Sequence, residues 1–275
     1  MDVPVKQAVT HEEIAGGMRD IMGHDFGLDK VLWSARYRSK QRLAARYRQG
    51  RVFLLGDAAH THVPAGGQGL QIGIGDAANL AWKLAGTIKG RLSADILDSY
   101  ENERKSIAAA ALRNTDLLFR FNTASGPLGR LLHWFGLQTT RIPYVAQKVV
   151  SSLAGDGMQY RSLRRRGDHR LVGRRLPLLD LLPDEPKSQQ QSLTQLLREG
   201  RFVLIHHQAP ALAAELRTDF PKVYTVKMSN DSPNNMLSIG QAILVRPDGV
   251  VIWVGNRIRS VKANLEQWLN GVLSH

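Results

Sequence analysis

The sequence contains no cysteine among its 275 residues. Disulfides, thiolate metal sites and thiol redox chemistry are therefore excluded, and a cytoplasmic location is the simplest expectation. Long apolar runs are also missing, because arginine or lysine interrupts each of them before it reaches the length of a membrane span. Residues 1–13 hold no apolar core of a secretory signal. We therefore expect a globular protein without a membrane partner.

Acidic residues are few relative to basic ones. The 24 aspartates and glutamates face 37 lysines and arginines, which gives a formal net charge of +13. The excess is concentrated in residues 36–51 and 161–175. Runs of basic residues usually face solvent. Alternatively, they form a surface that binds anions, which could be the phosphates of a nucleotide cofactor or nucleic acid. No nucleic-acid-binding motif accompanies the charge, so a nucleic-acid partner is not expected.

Hydrophobic periodicity, caps and turn residues predict the elements of the first half of the chain. In chain order they are a capped helix over 10–23, a strand over 31–38, a short basic helix over 42–47, a buried strand over 51–55, a loop to residue 69, and helices over 70–88, 94–121 and 127–153. The helix over 70–88 is expected to bury one apolar face, made of Ile74, Ala77, Ala78, Ala81, Leu84 and Ala85.

The second half of the chain has a different pattern of predicted elements, with shorter helices and more strands. Residues 155–175 are rich in glycine and arginine and are predicted to form a linker. Beyond them the pattern predicts helix 192–199, strand 202–206, helix 210–217, strands 223–227, 242–245 and 250–254, and helix 262–273. The sequence RPDG over 246–249 is predicted to turn between the last two strands. This order indicates a small α/β domain.

Residues 50–71, GRVFLLGDAAHTHVPAGGQGLQ, are the strongest candidate for a binding site. A strand that ends in Gly56-Asp57 places a carboxylate at the C-terminal edge of a sheet, where α/β folds bind ligands. The small residues 65–67 and 69 allow the backbone to approach a flat ligand. The helix that starts near Leu70 points free N–H groups and its positive dipole end at that ligand, which would stabilise an anionic ring.

The longer stretch over 50–86 closely resembles the second flavin-contact motif of the FAD-dependent aromatic hydroxylases, the single-component phenol and polyketide monooxygenases related to p-hydroxybenzoate hydroxylase. The sequence LDSYENER over 97–104 resembles the start of a helix in that family, and GRRLP over 173–177 resembles the junction to its C-terminal domain. The tail around RPDG at 246–249 resembles the cysteine-free thioredoxin-like domain of some members. The resemblance covers the chain from about residue 25 onward.

The resemblance implies an α/β fold with two parts. The first is a partial FAD-binding, Rossmann-like monooxygenase domain with long helices, and the second is a thioredoxin-like α/β domain. Residues 1–154 would form the C-terminal part of the FAD-binding and substrate domain, residues 155–175 the linker, and residues 176–275 the thioredoxin-like domain.

The resemblance also implies which residues bind FAD. Asp57 would meet the ribityl chain, the loop over 64–67 would pass beside the isoalloxazine ring and the substrate, and the backbone over 69–71 would face the pyrimidine edge. Family members usually have asparagine where this chain has Gln71. The candidate cofactor-binding residues are Gly56, Asp57, Pro64, Gly66, Gly67, Gly69, Leu70 and Gln71.

The reaction that the resemblance implies uses NADPH or NADH as the reductant and O₂ to hydroxylate a phenolic or polyketide ring. The partner would be a small aromatic substrate. The protein positions the reactants while FAD carries the chemistry. The sequence identifies no catalytic acid or base.

A G-x-G-x-x-G motif between a strand and a helix normally binds the FAD pyrophosphate, and the start of this sequence contains none. Residues 73–78, GIGDAA, match it in letters, but they lie inside a predicted helix. Gly73 and Gly75 are therefore expected to let that helix pack tightly or approach the flavin. The alternatives to an autonomous enzyme are a non-catalytic truncated remnant and the C-terminal half of a split hydroxylase. The latter would need an N-terminal-half partner chain, and a homodimer is also open.

His60 and His62 lie in the same loop as Asp57. A metal site needs at least three converging ligands, and the sequence offers only this loose group. We therefore expect no metal, and we expect the two histidines to form hydrogen bonds in the loop or to line the substrate pocket.

Overall fold

The computed structural model describes residues 6–36, 40–63, 67–124, 126–154, 159–176, 180–183, 191–228 and 236–270. The chain forms two compact units, Met1–Lys40 and Gln41–His275. The helices are α1 (His11–Met22), α2 (Gln68–Ile88), α3 (Asp98–Thr123), α4 (Gly126–Thr140), α5 (Pro143–Ala154), α6 (Leu193–Leu197), α7 (Pro210–Asp219) and α8 (Ile258–Asn270). The strands are β1 (Arg42–Leu43), β2 (Arg48–Gln49), β3 (Val52–Phe53), β4 (His60–Thr61), β5 (Asp180–Pro183), β6 (Gln191–Ser192), β7 (Val203–His206), β8 (Tyr224–Met228), β9 (Ala242–Val245) and β10 (Val251–Gly255). Over these described ranges, no helix is both long and apolar enough to cross a membrane.

The first unit contains α1, which the sequence predicts. The Thr10 side chain accepts a hydrogen bond from the Glu13 N–H at 3.2 Å and caps the helix start. Gly23 ends the helix in the left-handed region, with a φ of 80°. Arg36 then donates two hydrogen bonds to the Glu13 carboxylate, at 2.7 and 2.8 Å.

The prediction of a strand over 31–38 is wrong for residues 31–36, and residues 37–39 lie outside the described residues. A strand needs a neighbour to satisfy its backbone N–H and C=O groups. The described part of the first unit contains no other strand, so the alternation of apolar residues has nothing to pair with. Leu32 and Trp33 remain exposed as a result.

Two short antiparallel pairs open the second unit. β1 pairs with β4, and β2 pairs with β3 across a turn at Gly50, whose φ is 57°. The helix predicted over 42–47 is wrong, because Arg42 and Leu43 form β1 and the residues after them lead into β2 without helical structure. The strand predicted over 51–55 is shorter than expected and consists only of β3. It is not fully buried, because it pairs along one edge only and few residues pack over it, so Val52 is exposed.

Helix α2 begins two residues before the predicted start and ends where predicted. The predicted apolar face is wrong: Ile74, Ala77, Ala81 and Ala85 are exposed, and Ala78 and Leu84 are half-buried. Its buried residues are Gln68, Ile72, Asp76, Asn79, Leu80, Lys83 and Gly86. Polar side chains occupy the buried side because neighbouring elements supply them with hydrogen-bond partners, which offsets the cost of desolvation.

The remaining long helices agree with the predicted periodicity. The helix predicted over 94–121 is a 3-10 turn at Ala94–Leu97 followed by α3. Ile96, Tyr100 and Ala111 are buried and belong to its apolar periodicity. The helix predicted over 127–153 is divided into α4 and α5. Pro143 begins α5, because proline has no N–H to continue α4 but fits the first turn of a new helix.

A six-stranded mixed sheet forms the second half of this unit, in the order β10-β9-β7-β8-β5-β6. β7 and β8 are parallel and joined by α7, whereas every other neighbouring pair is antiparallel. The four predicted strands are confirmed to within one residue at each end, and β5 and β6 were not predicted. The helices predicted after residue 191 appear as α6, α7 and α8, and residues 271–273 lie outside the described residues. The α/β class is therefore confirmed.

One hydrophobic core joins both halves of the second unit. Trp82 of α2 packs edge-on against Phe202, with ring centroids 5.7 Å apart, and its ring centroid lies 6.2 Å from that of Trp268 in α8. The sheet is covered on both faces, because Leu204 belongs to this core and Val203 to a second one. Helix α2 is therefore packed directly against the C-terminal sheet domain.

Candidate functional site

A groove of about 650 Å³ lies between the turn at Gly56–Ala58 and the first turns of α2. We call it the α2 groove. Its volume is within the range of small-molecule sites, which is about 300–1,000 Å³. Its lining includes Asp57, His62, Gly67, Gly69, Leu70 and Ile74.

Gly56 forms the turn on one side of the α2 groove. Its φ of 58° is a left-handed conformation that favours glycine. The turn lies directly on α2 because Gly73 has no side chain: a Cβ there would come 3.3 Å from the Gly56 Cα. Asp57 follows with an exposed side chain, and its carboxylate accepts no hydrogen bond from any described residue.

The N-terminus of α2 forms the other side of the groove. Gly67 caps the helix with a φ of 63° and no side-chain hydrogen bond, and a Cβ on it would meet no atom within 4 Å. Gly69 lies beside the His62 ring, and Leu70 and Gln71 are exposed. The first N–H groups of α2 and its positive dipole end therefore face the groove without a side-chain cap.

Asp76 connects the turn to α2 and α3. Its buried carboxylate accepts hydrogen bonds from the Gly56 N–H at 3.0 Å, from His60 Nε2 at 2.7 Å and from Arg104 Nε at 2.7 Å. Burial alone would raise the pKa of this carboxyl, but the hydrogen bond from His60 and the Arg104 charge outweigh burial and lower the pKa. Asp76 is therefore ionised at neutral pH and holds the turn in place.

Arg104 occupies the space that Gly75 leaves open on α2. A Cβ on Gly75 would lie 2.8 Å from an Arg104 guanidinium nitrogen. The same guanidinium donates to the Ile72 carbonyl at 2.9 Å and to the Tyr160 hydroxyl at 2.8 Å. The close packing predicted for Gly73 and Gly75 is therefore confirmed.

His60 and His62 link Asp76 to the α2 groove. An ionised carboxylate only accepts, so His60 donates its Nε2–H to Asp76. Its Nδ1 lies 2.9 Å from His62 Nε2, and we assign the Nε2–H of His62 as the donor, because the reverse direction would leave a buried His62 Nδ1–H without an acceptor among the described residues. Burial and the neighbouring His60 lower the pKa of His62, which keeps that ring neutral at pH 7. The hydrogen bonding expected for these two histidines is confirmed. Across the described ranges, no group of three or more metal-binding side chains is present.

Two protein-family models match the chain. An FAD binding domain matches residues 4–115, and the C-terminal domain of aromatic-ring hydroxylases matches residues 169–274. The chain belongs to the FAD-dependent aromatic hydroxylases. FAD is the cofactor of this family, and the resemblance seen in the sequence is confirmed.

The chain is 38% identical over 255 residues to an uncharacterized aromatic compound monooxygenase of Bacillus subtilis, and 34% identical over 268 residues to a rifampicin monooxygenase of Rhodococcus hoagii. These matches cover 92% and 94% of this chain but 48% and 50% of the relatives. The solved anhydrotetracycline hydroxylase of Streptomyces rimosus aligns with a TM-score of 0.77 and 32% identity, over 95% of this chain and 53% of that one. The chain thus spans about half the length of the curated relatives it matches.

The described residues of the α2 groove fit the flavin end of FAD. The space beside Gly67 is open to a flat ring, and the uncapped N-terminus of α2 suits an electron-rich edge. The free Asp57 carboxylate can accept hydrogen bonds from hydroxyl groups, and Leu70 and Ile74 offer apolar contact. Pro64 and Gly66, the other two candidates, lie outside the described residues.

The chain also contains a buried charged cluster that was not predicted from the sequence. We call it the Arg246 cluster. Arg246 donates to both Glu103 oxygens at 2.9 and 2.8 Å and to Asp248 at 2.6 Å, and Lys83 Nζ lies 3.2 Å from Glu103 Oε1. The cluster consists of Asn79, Lys83, Glu103, Tyr160, Arg246 and Asp248. The signal for it was the recurrence of polar residues 76, 79 and 83 at helical spacing in α2.

Opposite charges balance inside the Arg246 cluster. Burial lowers the pKa of Lys83 to about 8, against the attraction of Glu103. Burial opposes the charge of Glu103 as well, but the Arg246 and Lys83 charges outweigh it and lower its pKa to about 2. Inside this buried site Lys83 and Arg246 are therefore paired with the Glu103 and Asp248 carboxylates, as the burial of charged groups requires.

Acid is expected to destabilise the protein as the pH falls from about 4.5 to about 2. The pKa of Glu103 is about 2 in the folded protein against an ordinary value of 4.5, so its stabilising effect is complete above the ordinary value and is lost as the pH falls through the folded one. The difference corresponds to roughly 3 kcal/mol at most. Urea unfolding at a series of acidic pH values measures it. A Glu103→Gln variant with the same pH slope as the parent would contradict this assignment.

Proposed function

We propose that this chain provides the flavin-facing half of an FAD-dependent monooxygenase that hydroxylates a phenolic or polyketide ring, with NADPH or NADH as the reductant. The observation that supports this most directly is the α2 groove, in which a free carboxylate and an uncapped helix N-terminus face one open space. When bound, FAD supplies the transfer of one oxygen atom from O₂ to the ring. The chain's own residues bind and orient the flavin.

Each side of the groove has a distinct proposed task. The Asp57 carboxylate would accept hydrogen bonds from ribityl hydroxyls, since no described residue already uses it. The backbone N–H groups of Gly69, Leu70 and Gln71 would face the pyrimidine edge of the ring. There the dipole of α2 would stabilise negative charge on the reduced flavin without a charged side chain.

The proposed substrate class rests on the relatives. Curated relatives that match most of this chain include monooxygenases named for rifampicin, anhydrotetracycline and pentachlorophenol, and all of these are aromatic compounds. We therefore propose a small aromatic substrate, and no catalytic acid or base is assigned to this chain. The cytoplasmic location stays a prediction.

We propose the domain division expected from the sequence, with the flavin part over 1–154, a connecting segment over 155–175 and a thioredoxin-like domain over 176–275. Four strands in the order β10-β9-β7-β8, with β7 parallel to β8 and crossover helix α7, support the thioredoxin-like assignment. The sequence has no cysteine, so this domain would not exchange disulfides.

A second candidate function is that of a half-enzyme. The relatives have about as much chain again. Leu70 and Ile74 are exposed in the α2 groove, and Val52 and Leu55 are exposed on the segment that precedes its turn. Such a surface is typical of an interface. The chain would then be a non-catalytic remnant, or the C-terminal half of a split hydroxylase that gains activity with an N-terminal-half partner; self-association into a homodimer remains a further prediction.

Retention of FAD tests the proposed function. The purified chain is incubated with FAD and desalted, and its visible absorption spectrum is recorded. We expect the parent to retain flavin and Asp57→Ala to lose it, because the variant lacks the free carboxylate. Asp116→Ala removes an exposed carboxylate on α3 and should retain flavin like the parent.

Two results would count against autonomous function. Loss of flavin by the parent, followed by retention after the ADP-binding half of a relative is added, would favour the split enzyme. Retention by Asp57→Ala as strong as that of the parent would contradict the assignment of Asp57.

A further inference from the structure

The turn between β9 and β10 inserts a fully buried arginine into the flavin part of the chain. Arg246 is the first residue of that turn, and its side chain has no exposed surface. Its guanidinium lies over three rings, at 4.6 Å from the centroid of Trp268, 5.4 Å from that of Trp82 and 5.6 Å from that of Tyr160. Two carboxylates complete this environment and accept four hydrogen bonds from the guanidinium.

The partners of Arg246 come from both halves of the second unit. Asp248 belongs to the same turn, whereas Glu103 lies on α3 and Lys83, which shares Glu103, lies on α2. Without Arg246, the buried carboxylate of Glu103 would lose two charge-assisted hydrogen bonds. The helices α2 and α3 are therefore built to receive this turn of the C-terminal domain.

The same hydrogen-bond network continues to the α2 groove. Asn79 donates to Glu103 at 2.6 Å and lies 3.5 Å from the Tyr160 hydroxyl. That hydroxyl accepts from Arg104, and Arg104 binds Asp76, whose other oxygen accepts from the Gly56 N–H. Every link is buried or half-buried, and the chain of contacts ends one residue before Asp57.

We infer that Arg246 is a positioning residue for the flavin site: it sets helices α2 and α3 so that Asp76 can hold the Gly56–Asp57 turn. Helix α2 connects the Arg246 cluster to the Gly56–Asp57 turn, because Asn79 and Lys83 of the cluster and Asp76, which holds the turn, are all buried residues of this helix. The C-terminal domain would thus tune flavin binding from outside the groove. The FAD readout rests on the proposed function, whereas the order of the turn can be measured without FAD.

The test compares Arg246→Lys with Leu265→Ala. Arg246→Lys keeps the charge but loses the planar fork that binds two carboxylates. Leu265 is a fully buried residue of α8 outside this network, so its replacement destabilises the same domain without touching the network. Asp248→Asn is the milder second variant, should Arg246→Lys fail to fold. The two readouts are the dissociation constant for FAD and the hydrogen-exchange rate of the Gly56 amide, both taken where all variants are folded.

We expect Arg246→Lys to weaken FAD binding about tenfold and to accelerate exchange at Gly56, while Leu265→Ala leaves both near the parent values despite a lower Tm. A double variant with Asp76→Asn should show less than the sum of the two single effects on FAD binding. The inference is overturned if Arg246→Lys matches the parent in both readouts, or if Leu265→Ala changes them equally. If the parent binds no FAD, the proposed function fails, and exchange at Gly56 alone decides the inference.

Discussion

Replacing Glu103 by glutamine is expected to lower the free energy of unfolding by about 3–5 kcal/mol, the typical cost of removing one partner of a buried ion pair. The substitution keeps the shape of the side chain but leaves Lys83 and Arg246 with one carboxylate between them. The glutamine NH₂ would also face an Arg246 N–H that needs an acceptor. Urea unfolding followed by circular dichroism at neutral pH measures the loss.

Glu215→Gln is the matched control for this prediction. Glu215 forms an ion pair with Lys262 at 2.6 Å, but both side chains are partly exposed to solvent. Exposed pairs contribute only about 0–1 kcal/mol, so this variant should unfold almost like the parent. Equal losses in the two variants would mean that the Arg246 cluster adds no more stability than a surface ion pair.

Replacing Asp76 by asparagine is expected to lower the free energy of unfolding by about 3 kcal/mol and to reverse the tautomers of His60 and His62. Asp76 accepts from three donors, whereas an asparagine has one accepting oxygen and an NH₂ group that donates. If the NH₂ faces His60, that ring must accept at Nε2 and carry its proton on Nδ1. His62 would then accept at Nε2 in turn.

Imidazole nitrogen NMR at neutral pH measures this change, because protonated and unprotonated ring nitrogens resonate far apart. The parent should show protons on Nε2 of both rings, and the variant should show them on Nδ1. Asp98→Asn, which alters an exposed pair with Arg48, should leave both rings as in the parent. Unchanged tautomers in Asp76→Asn would show that Asp76 does not set the hydrogen-bond direction along this pair.

The C-terminal sheet was predictable because its signal is local. Strands such as β7 and β9 are short, continuous apolar runs, and the turn at 246–249 has the residues that a hairpin turn requires. Strands β5 and β6 were not predicted, because β6 has only two residues and is a strand only through its pairing with β5. Pairing between distant segments leaves little trace in a sequence window.

The buried side of α2 was not predictable from hydrophobicity. The rule that apolar residues face the core selects Ile74 and Ala81, but the structure buries Asp76 and Lys83 instead. These side chains are buried because Arg104 and Glu103 on α3 pair with them, and periodicity in one helix says nothing about partners in another. The residues proposed to face the flavin could be predicted, because glycines and a carboxylate after a strand are recognisable within a short stretch of sequence. The residues that hold them in place come from distant segments and could not be predicted in this way.

Arg246 follows Glu103 by 143 residues, and this separation has a consequence for synthesis on the ribosome. At about 5–20 residues per second, roughly 7–30 s pass between the emergence of these two residues. During that interval Lys83 and Glu103 lack Arg246, so both charged side chains are more stable in water than buried. Packing of α2 against α3 is therefore unfavourable. The nascent flavin segment would therefore stay open until the last hairpin is made, and its exposed apolar residues would be a natural target for chaperones.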